Sequence, residues 1–414
     1  MNKNIFKSNN LIKFDNIVKS YYKIKPFINK TPLEFNERLS KKYNADIFFK
    51  REDLQKTRSF KIRGSLNKII KQKDINQIVC ASAGNHAQGV SYACNLLNLK
   101  SKIFVPNITP PQKINRIINF GNSEMDLVKY GNTFDECLEE AMNYSNDFEG
   151  TFIHPYNDLD IIEGQATLSY EIQQDFIPDA IISCIGGGGL ISGLGSFQNN
   201  IKIFGAEPKG AHSMYLALKN NQPTRIENLD TFVDGASVGK IGDLTFQISK
   251  EFLNYRDIKV IPNGLICNEM INLYQEEGII VEPAGCLSVC ALNYLKPEQI
   301  KGKKIVCILS GGNNDIMRYP EILEKNLIYL GLKHYYIIEF SQKPKELKKF
   351  ILNVLGQNDD ITRFEYIKKT NKNYGNVLLG VETKEYKSLE EKLKKSNFKF
   401  RKIQENDLIY SYLV

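Results

Sequence analysis

Two rhythms of apolar and polar positions divide the 414-residue chain. Between Asp46 and Gly312, short apolar runs alternate with stretches of helical periodicity. Residues 47–49, 77–81, 102–105, 125–128, 180–185, 201–205 and 304–309 read as buried strands, with helices such as 113–120 and 134–144 between them. Strands buried on both faces and separated by helices predict an α/β fold with parallel sheets. Several runs end in Gly, Ser or Asn, at the end where open α/β sheets place their ligands.

The rhythm changes near residue 318. Residues 318–333 read as a linking helix and turn, and 335–340 as a strand. Pro344 then opens a helix whose Leu347, Phe350, Ile351 and Val354 share one buried face. Residues 361–367 and 377–381 form a hairpin around Asn373, Tyr374, Gly375 and Asn376. A second helix buries Leu389 and Leu393, and 398–403 and 408–413 follow as strands. This order, β-α-β-β-α-β with one extra strand, predicts a ferredoxin-like α+β unit. The expected division is a region 1–320 with a smaller subdomain inserted at about 50–150, a linker 321–333, and a C-terminal unit 334–414.

Composition narrows the classes. Hydrophobic residues at 42% and charged residues at 25% fit a soluble globular chain. No apolar run approaches the ~20 residues that span a bilayer, and the start lacks the apolar core of a secretory signal, so a cytoplasmic protein is expected. The net charge is +8, but the lysines are scattered among Asp and Glu, and the densest groups (345–349 and 392–395) lie on polar helix faces. That pattern describes a solvated surface rather than a nucleic-acid footprint. Among eight cysteines, Cys286 and Cys290 are four apart with no second pair to complete a zinc framework. Cys80, Cys184 and Cys307 fall in apolar runs and read as buried thiols. No H-E-x-x-H motif is present, so no metal site is predicted.

Four segments carry candidate chemistry. In Ser59-Phe60-Lys61-Ile62-Arg63-Gly64, Ser59 can cap a helix, placing Lys61 in the first turn, where the dipole disfavours an ammonium. A lysine of lowered pKa suits a Schiff base, although the same pattern alone also describes an ordinary solvated lysine. Ser82-Ala83-Gly84-Asn85-His86 joins a strand to a helix. Its small residues free N–H groups for an anion such as a carboxylate, and Asn85 can offer its amide. The alternative is a plain turn, with His86 as a structural contact. Gly186-Gly187-Gly188-Gly189-Leu190 follows a strand, and four glycines let a backbone wrap a phosphate. The spacing is not G-x-G-x-x-G, and no Lys-Ser/Thr ending marks a P-loop. Ser310-Gly311-Gly312-Asn313 offers a hydroxyl that could meet a ring nitrogen; alone, it is a turn.

In this order the segments resemble the fold-type II pyridoxal-phosphate enzymes, and most closely the biosynthetic threonine ammonia-lyases (threonine dehydratases). The likeness runs from about Asp15 through the C-terminal unit. It takes in Lys50-Arg51-Glu52-Asp53-Leu54-Gln55, residues 81–89, Val233-Asp234-Gly235-Ala236-Ser237-Val238 and Glu282-Pro283-Ala284-Gly285. The resemblance implies two open twisted parallel-sheet subdomains and a C-terminal ferredoxin-like, ACT-like regulatory domain. It implies that Lys61 carries pyridoxal 5'-phosphate as a Schiff base and that Phe60 flanks the ring. Asn85 would bond the ring hydroxyl, Gly186, Gly187, Gly188, Gly189 and Leu190 would hold the phosphate, and Ser310 would face the pyridine nitrogen. Ser82, Ala83, Gly84, Asn85 and His86 would bind the substrate carboxylate.

The implied reaction is deamination of L-threonine to 2-oxobutanoate and ammonia, the first step of isoleucine biosynthesis, with Lys61 removing the α-proton. A neutral Ser310 would leave the pyridine largely unprotonated and favour elimination. L-Serine and hydroxyaspartate are alternative substrates. A non-catalytic amino-acid sensor is the alternative class, opposed by an intact Lys61 and glycine run. Two departures matter. Ala83 replaces the serine with which related racemases return a proton, which disfavours racemisation. Glu207 and Ala211 match a divalent-metal site of those relatives, but Ser213 replaces its Asp, leaving only a monovalent cation open. The resemblance further implies isoleucine or valine as effector, or a C-terminal unit kept only for assembly, and a homotetramer. Neither nucleic acid nor membrane is an expected partner.

Overall fold

The apolar runs become two sheets in the first of two units, which divide between Asp315 and Ile316 in the computed structural model. The structure describes residues 11–73, 75–197, 200–366, 372–405 and 407–414. In chain order the strands of the first unit are β1 (Leu33–Phe35), β2 (Asp46–Arg51), β3 (Ile78–Ala81), β4 (Ser101–Val105), β5 (Met125–Lys129), β6 (Thr151–Phe152), β7 (Ala180–Cys184), β8 (Lys202–Pro208), β9 (Ile258–Ile261) and β10 (Lys304–Leu309). The larger sheet has the order β1-β2-β10-β7-β8-β9, and the smaller one β5-β4-β3-β6. Every pairing is parallel except β1 with β2. The larger sheet is therefore not wholly parallel. The short edge strand β1, like β6 and β9, is too brief or too exposed to stand out as an apolar run.

Close helix packing sets the frame of the site. The helix Lys61–Lys71 lies against the helix Leu159–Asp175. A Cβ on Gly64 would stand 2.9 Å from the Ile161 carbonyl, and one on Gly164 would stand 2.6 Å from the Arg63 carbonyl. Only glycines allow that approach. The first helix is also anchored by ions, one of them on the same neighbouring helix. Arg63 donates to Glu52 at 2.8 Å and to Glu171 at 3.0 Å, while Lys50 reaches Glu171 at 2.6 Å, all four side chains being buried.

The second unit contains β11 (Lys333–Ser341), β12 (Asp360–Tyr366), β13 (Tyr374–Glu382) and β14 (Lys399–Lys402), all antiparallel in the order β12-β13-β11-β14. With the helices Glu346–Asn353 and Tyr386–Lys395 this is the ferredoxin-like plan. Three details differ from expectation. Residues 408–413 form no strand; Leu408–Tyr412 is a 3-10 helix, started by a turn in which Asp407 accepts from the Gln404 N–H at 2.7 Å. Tyr374, Gly375 and Asn376 pair with Ser341, Phe340 and Glu339 inside β13, so the hairpin connection lies earlier, and Ile367 falls outside the described residues. The helix after Pro344 starts at Glu346 and buries Phe350 and its flanking Val354, but Leu347 is 42% exposed and Ile351 46%. Leu389 and Leu393 are buried as expected. All eight cysteines are buried free thiols, and no helix among the described residues is long and apolar enough to cross a membrane.

Candidate active site

The carboxyl ends of β3, β7 and β10 lead directly into three of the four candidate segments, and backbone hydrogen bonds tie in the fourth. Ser59 and Gly311 form an isolated antiparallel bridge. The Phe60 N–H donates to the Ser310 carbonyl at 3.1 Å, and the Gly312 N–H to the Arg58 carbonyl at 2.9 Å. The Lys61 segment is thus fastened to the Ser310 turn. This pairing explains why Ser59 does not cap the helix: Phe60 occupies the cap position in helical conformation, and the buried Ser59 hydroxyl has no partner among the described residues.

Lys61 is the first residue of its helix, as expected. Its Nζ donates to the Pro155 carbonyl at 2.8 Å and lies 5.4 Å from the centre of the Phe60 ring. Burial pulls the amine down to about 8, against the opposing pull of Cys184 and Glu282. Desolvation of the ammonium therefore produces the lowered basicity expected from the helix terminus.

The glycine run turns out of β7 into the buried helix Gly189–Ser196. Gly188 has φ +92°, and the Gly187 carbonyl accepts from the Thr245 hydroxyl at 2.8 Å. A Cβ on Gly187 would lie 2.2 Å from the Tyr156 ring, and one on Gly186 3.1 Å from Ala236. A Cβ on Gly189 would lie 3.1 Å from Tyr156, and Leu190 is buried. Only a backbone can line this turn. Ser310 is buried, and its hydroxyl oxygen accepts from the Cys184 thiol at 3.2 Å.

In the loop after β3, the Ser82 hydroxyl accepts from the Gly84 N–H at 3.1 Å. Ala83 is partly buried, and the missing side chain of Gly84 faces open space. Asn85 starts the helix Asn85–Leu96, and its amide nitrogen donates to Glu282 Oε1 at 2.7 Å. The His86 ring turns away into the core, with Nε2 2.8 Å from the Ile153 carbonyl. Burial and nearby Lys61 push it down to about 3, so the ring is neutral and structural.

The residue that sequence reading left without a role is Glu282. It ends the apolar run 279–281, just before the helix Pro283–Cys290. Burial, with help from Asp234, pushes its carboxyl up to about 7. A carboxylate closing an apolar run was the available signal. Pro155 and Cys184 left no comparable one. Away from this site, Glu207 accepts from the Met214 and Tyr215 N–H groups at 2.8 and 2.9 Å and so caps a helix starting at Ser213. Both its oxygens are engaged, Ala211 contributes no side-chain ligand, and no cluster of three potential metal ligands occurs among the described residues.

An enclosed amine of low basicity, a glycine cradle and a buried serine suit one cofactor type, and the relatives of the chain carry it. Residues 24–311 match the family of pyridoxal-phosphate-dependent enzymes, and residues 324–413 match the C-terminal regulatory domain of threonine dehydratase. Over 97% of its length the chain is 44% identical to the L-threonine dehydratase biosynthetic IlvA of Halalkalibacterium halodurans, covering 99% of that protein. The chain belongs to the biosynthetic threonine dehydratase family. A Staphylococcus epidermidis member is 45% identical, with 96% of this chain and 97% of that one covered. The processed form of tomato (Solanum lycopersicum) threonine deaminase isoform 2 superimposes on 78% of this chain and 98% of its own, with TM-score 0.70 and 32% identity. Serine racemase from Dictyostelium discoideum is also similar: TM-score 0.67, 32% identity, with 74% of this chain and 100% of that one covered. The family places this chain among fold-type II pyridoxal-phosphate enzymes that carry a regulatory domain.

Proposed function

We propose that the protein deaminates L-threonine to 2-oxobutanoate and ammonia in the cytoplasm, as the first step of isoleucine biosynthesis. One observation carries this reading: the enclosed Lys61 amine beside a turn that only glycines can line. Pyridoxal phosphate, when bound, supplies an electron sink for the charge left at the α-carbon. The N–H groups of Gly186, Gly187, Gly188 and Gly189 hold the phosphate at a helix start, with Leu190 behind them. Asn85 would donate to the ring hydroxyl oxygen, Phe60 would flank the ring, and Ser310 would face the pyridine nitrogen. The backbone of Ser82, Ala83, Gly84, Asn85 and His86 binds the substrate carboxylate. Lys61, half deprotonated at about pH 8, accepts the α-proton.

The C-terminal unit binds a branched-chain amino acid, isoleucine or valine, and the chain assembles as a homotetramer. Such an effector regulates only if it binds one state of the enzyme more tightly than another. The test is release of 2-oxo acid from L-threonine, L-serine and hydroxyaspartate, with and without isoleucine or valine, together with light scattering. Threonine should give the largest kcat/KM, and isoleucine should change its rate. A larger kcat/KM for serine or hydroxyaspartate would overturn the substrate assignment.

A further inference from the structure

We propose that Arg116 and Asn313 are positioning residues that fix which end of the Asn85 amide faces the cofactor; this rests on the reading of Asn85 given above. Arg116 stands on the helix Pro111–Phe120 beside the smaller sheet, and its guanidinium donates to Asn313 Oδ1. An ion pair from Lys113 to Asp234 seats the same helix. A guanidinium has donors and no acceptor, so Asn313 must turn its oxygen toward Arg116. Its nitrogen then donates to the Thr57 carbonyl at 2.9 Å and to Asn85 Oδ1 at 2.7 Å. A backbone carbonyl only accepts, so Thr57 independently demands the same orientation.

The polarity passes on to Asn85. With its oxygen held by Asn313, its nitrogen must face Glu282, to which it donates at 2.7 Å. Glu282 can accept there in either protonation state, because a protonated carboxyl keeps its carbonyl oxygen. The second Nδ2 hydrogen of Asn85 meets no acceptor among the described residues. Asn85 therefore offers the site a donor. A donor stabilises an ionised oxygen and leaves a neutral hydroxyl without the acceptor its own proton wants. The chain from Arg116 through Asn313 thus holds the ring hydroxyl of the cofactor in its ionised form, and ties that state to the seating of an outer helix.

The absorbance of the holoenzyme reports this without turnover, since the ionised and neutral ring hydroxyls give long- and short-wavelength bands. Asn313→Asp keeps the size of the side chain but supplies only acceptors. It should shift the bands toward short wavelength and weaken cofactor binding about tenfold, the worth of one charge-assisted hydrogen bond. Arg116→Lys keeps a pure donor and should keep the parent spectrum. Arg116→Met, on a partly exposed helix, should shift the bands in the same direction but less. Circular dichroism checks folding. Asn85→Ala is the reference: it should shift the bands at least as far as Asn313→Asp. A shift in Asn85→Ala with parent spectra in both Asn313→Asp and Arg116→Met overturns the relay while leaving Asn85 in its role. A parent spectrum in Asn85→Ala itself overturns that role, and the relay with it.

Discussion

Lys61 and Arg63 sit on opposite faces of one helix and meet burial in opposite ways. The Lys61 amine faces the Pro155 carbonyl, and burial pulls it down to about 8. Burial also pulls on the Arg63 guanidinium, but Glu52 and Glu171 outweigh it and hold the group above its ordinary value. Glu171 mirrors this: burial pushes its carboxyl up, while Arg63 and Lys50 hold it below the usual range. Lys50 is instructive because it touches the same carboxylate, yet burial still lowers it, and Arg63 adds to the effect. Depth alone does not decide protonation; the number and geometry of opposite charges do. The guanidinium fork satisfies two carboxylates and stays charged, whereas a lone ammonium left with a carbonyl becomes a base.

Removing the base tests the first half of this contrast most severely. Lys61→Ala should lower 2-oxobutanoate release at saturating threonine by roughly 10⁴-fold or more, with no loss of thermal stability. The second half predicts the reverse signature. Arg63→Met leaves Glu52 and Glu171 facing Lys50 alone and should cost about 3–5 kcal/mol in urea unfolding, because an excess buried charge remains. Arg63→Lys should recover only part of that, for want of the two-pronged geometry.

Titration gives smaller effects. In protein stripped of cofactor, the folded Lys61 amine titrates near 8 against 10.5 for a free lysine. Below pH 8 both states are protonated and the burial penalty is full; it fades as pH rises and is gone above 10.5. Melting temperature should therefore gain a contribution between about pH 8 and 10.5 that Lys61→Met lacks. Glu282 runs the other way, from 4.5 to about 7. Below pH 4.5 neither state is charged, and above 7 both are, so its penalty grows with pH across that window. Glu282→Gln should abolish this fall in stability.

The contrast also marks what a chain of letters can disclose. Lys61 was legible because its neighbours in sequence, Ser59 to Gly64, are its neighbours in space. Three of the four segments were legible because each follows a strand end, and parallel strands gather their ends; the fourth, Ser59 to Gly64, is joined to them by the bridge to Gly311. The partners of Arg63 were not, since Glu171 lies over a hundred residues away and no periodicity links them. Nor was Glu282, whose meaning depends on Asn85 at the far end of another segment. In the C-terminal unit, helical spacing marked Leu347, Phe350, Ile351 and Val354 as one apolar face. Spacing says which positions are alike, not what covers them, and Phe350 and Val354 found the core while Leu347 and Ile351 did not. The strand expected at 408–413 failed similarly, for its aromatic letters say nothing of the Asp407 turn that precedes them.

The contact between Gly64 and Gly164 has a mechanical consequence. Main chain lies on main chain at Gly164: a methyl added there would meet the Arg63 carbonyl oxygen at 2.6 Å and the Gly64 Cα at 2.7 Å. The helix Leu159–Asp175 has no chemistry of its own, yet any shift along its axis must be transmitted, without slack, to the reactive nitrogen one turn away. A substitution at its Gly164 would thus press on the reactive nitrogen, whereas one at its Glu171 would strike the buried ion pairs and the stability they carry.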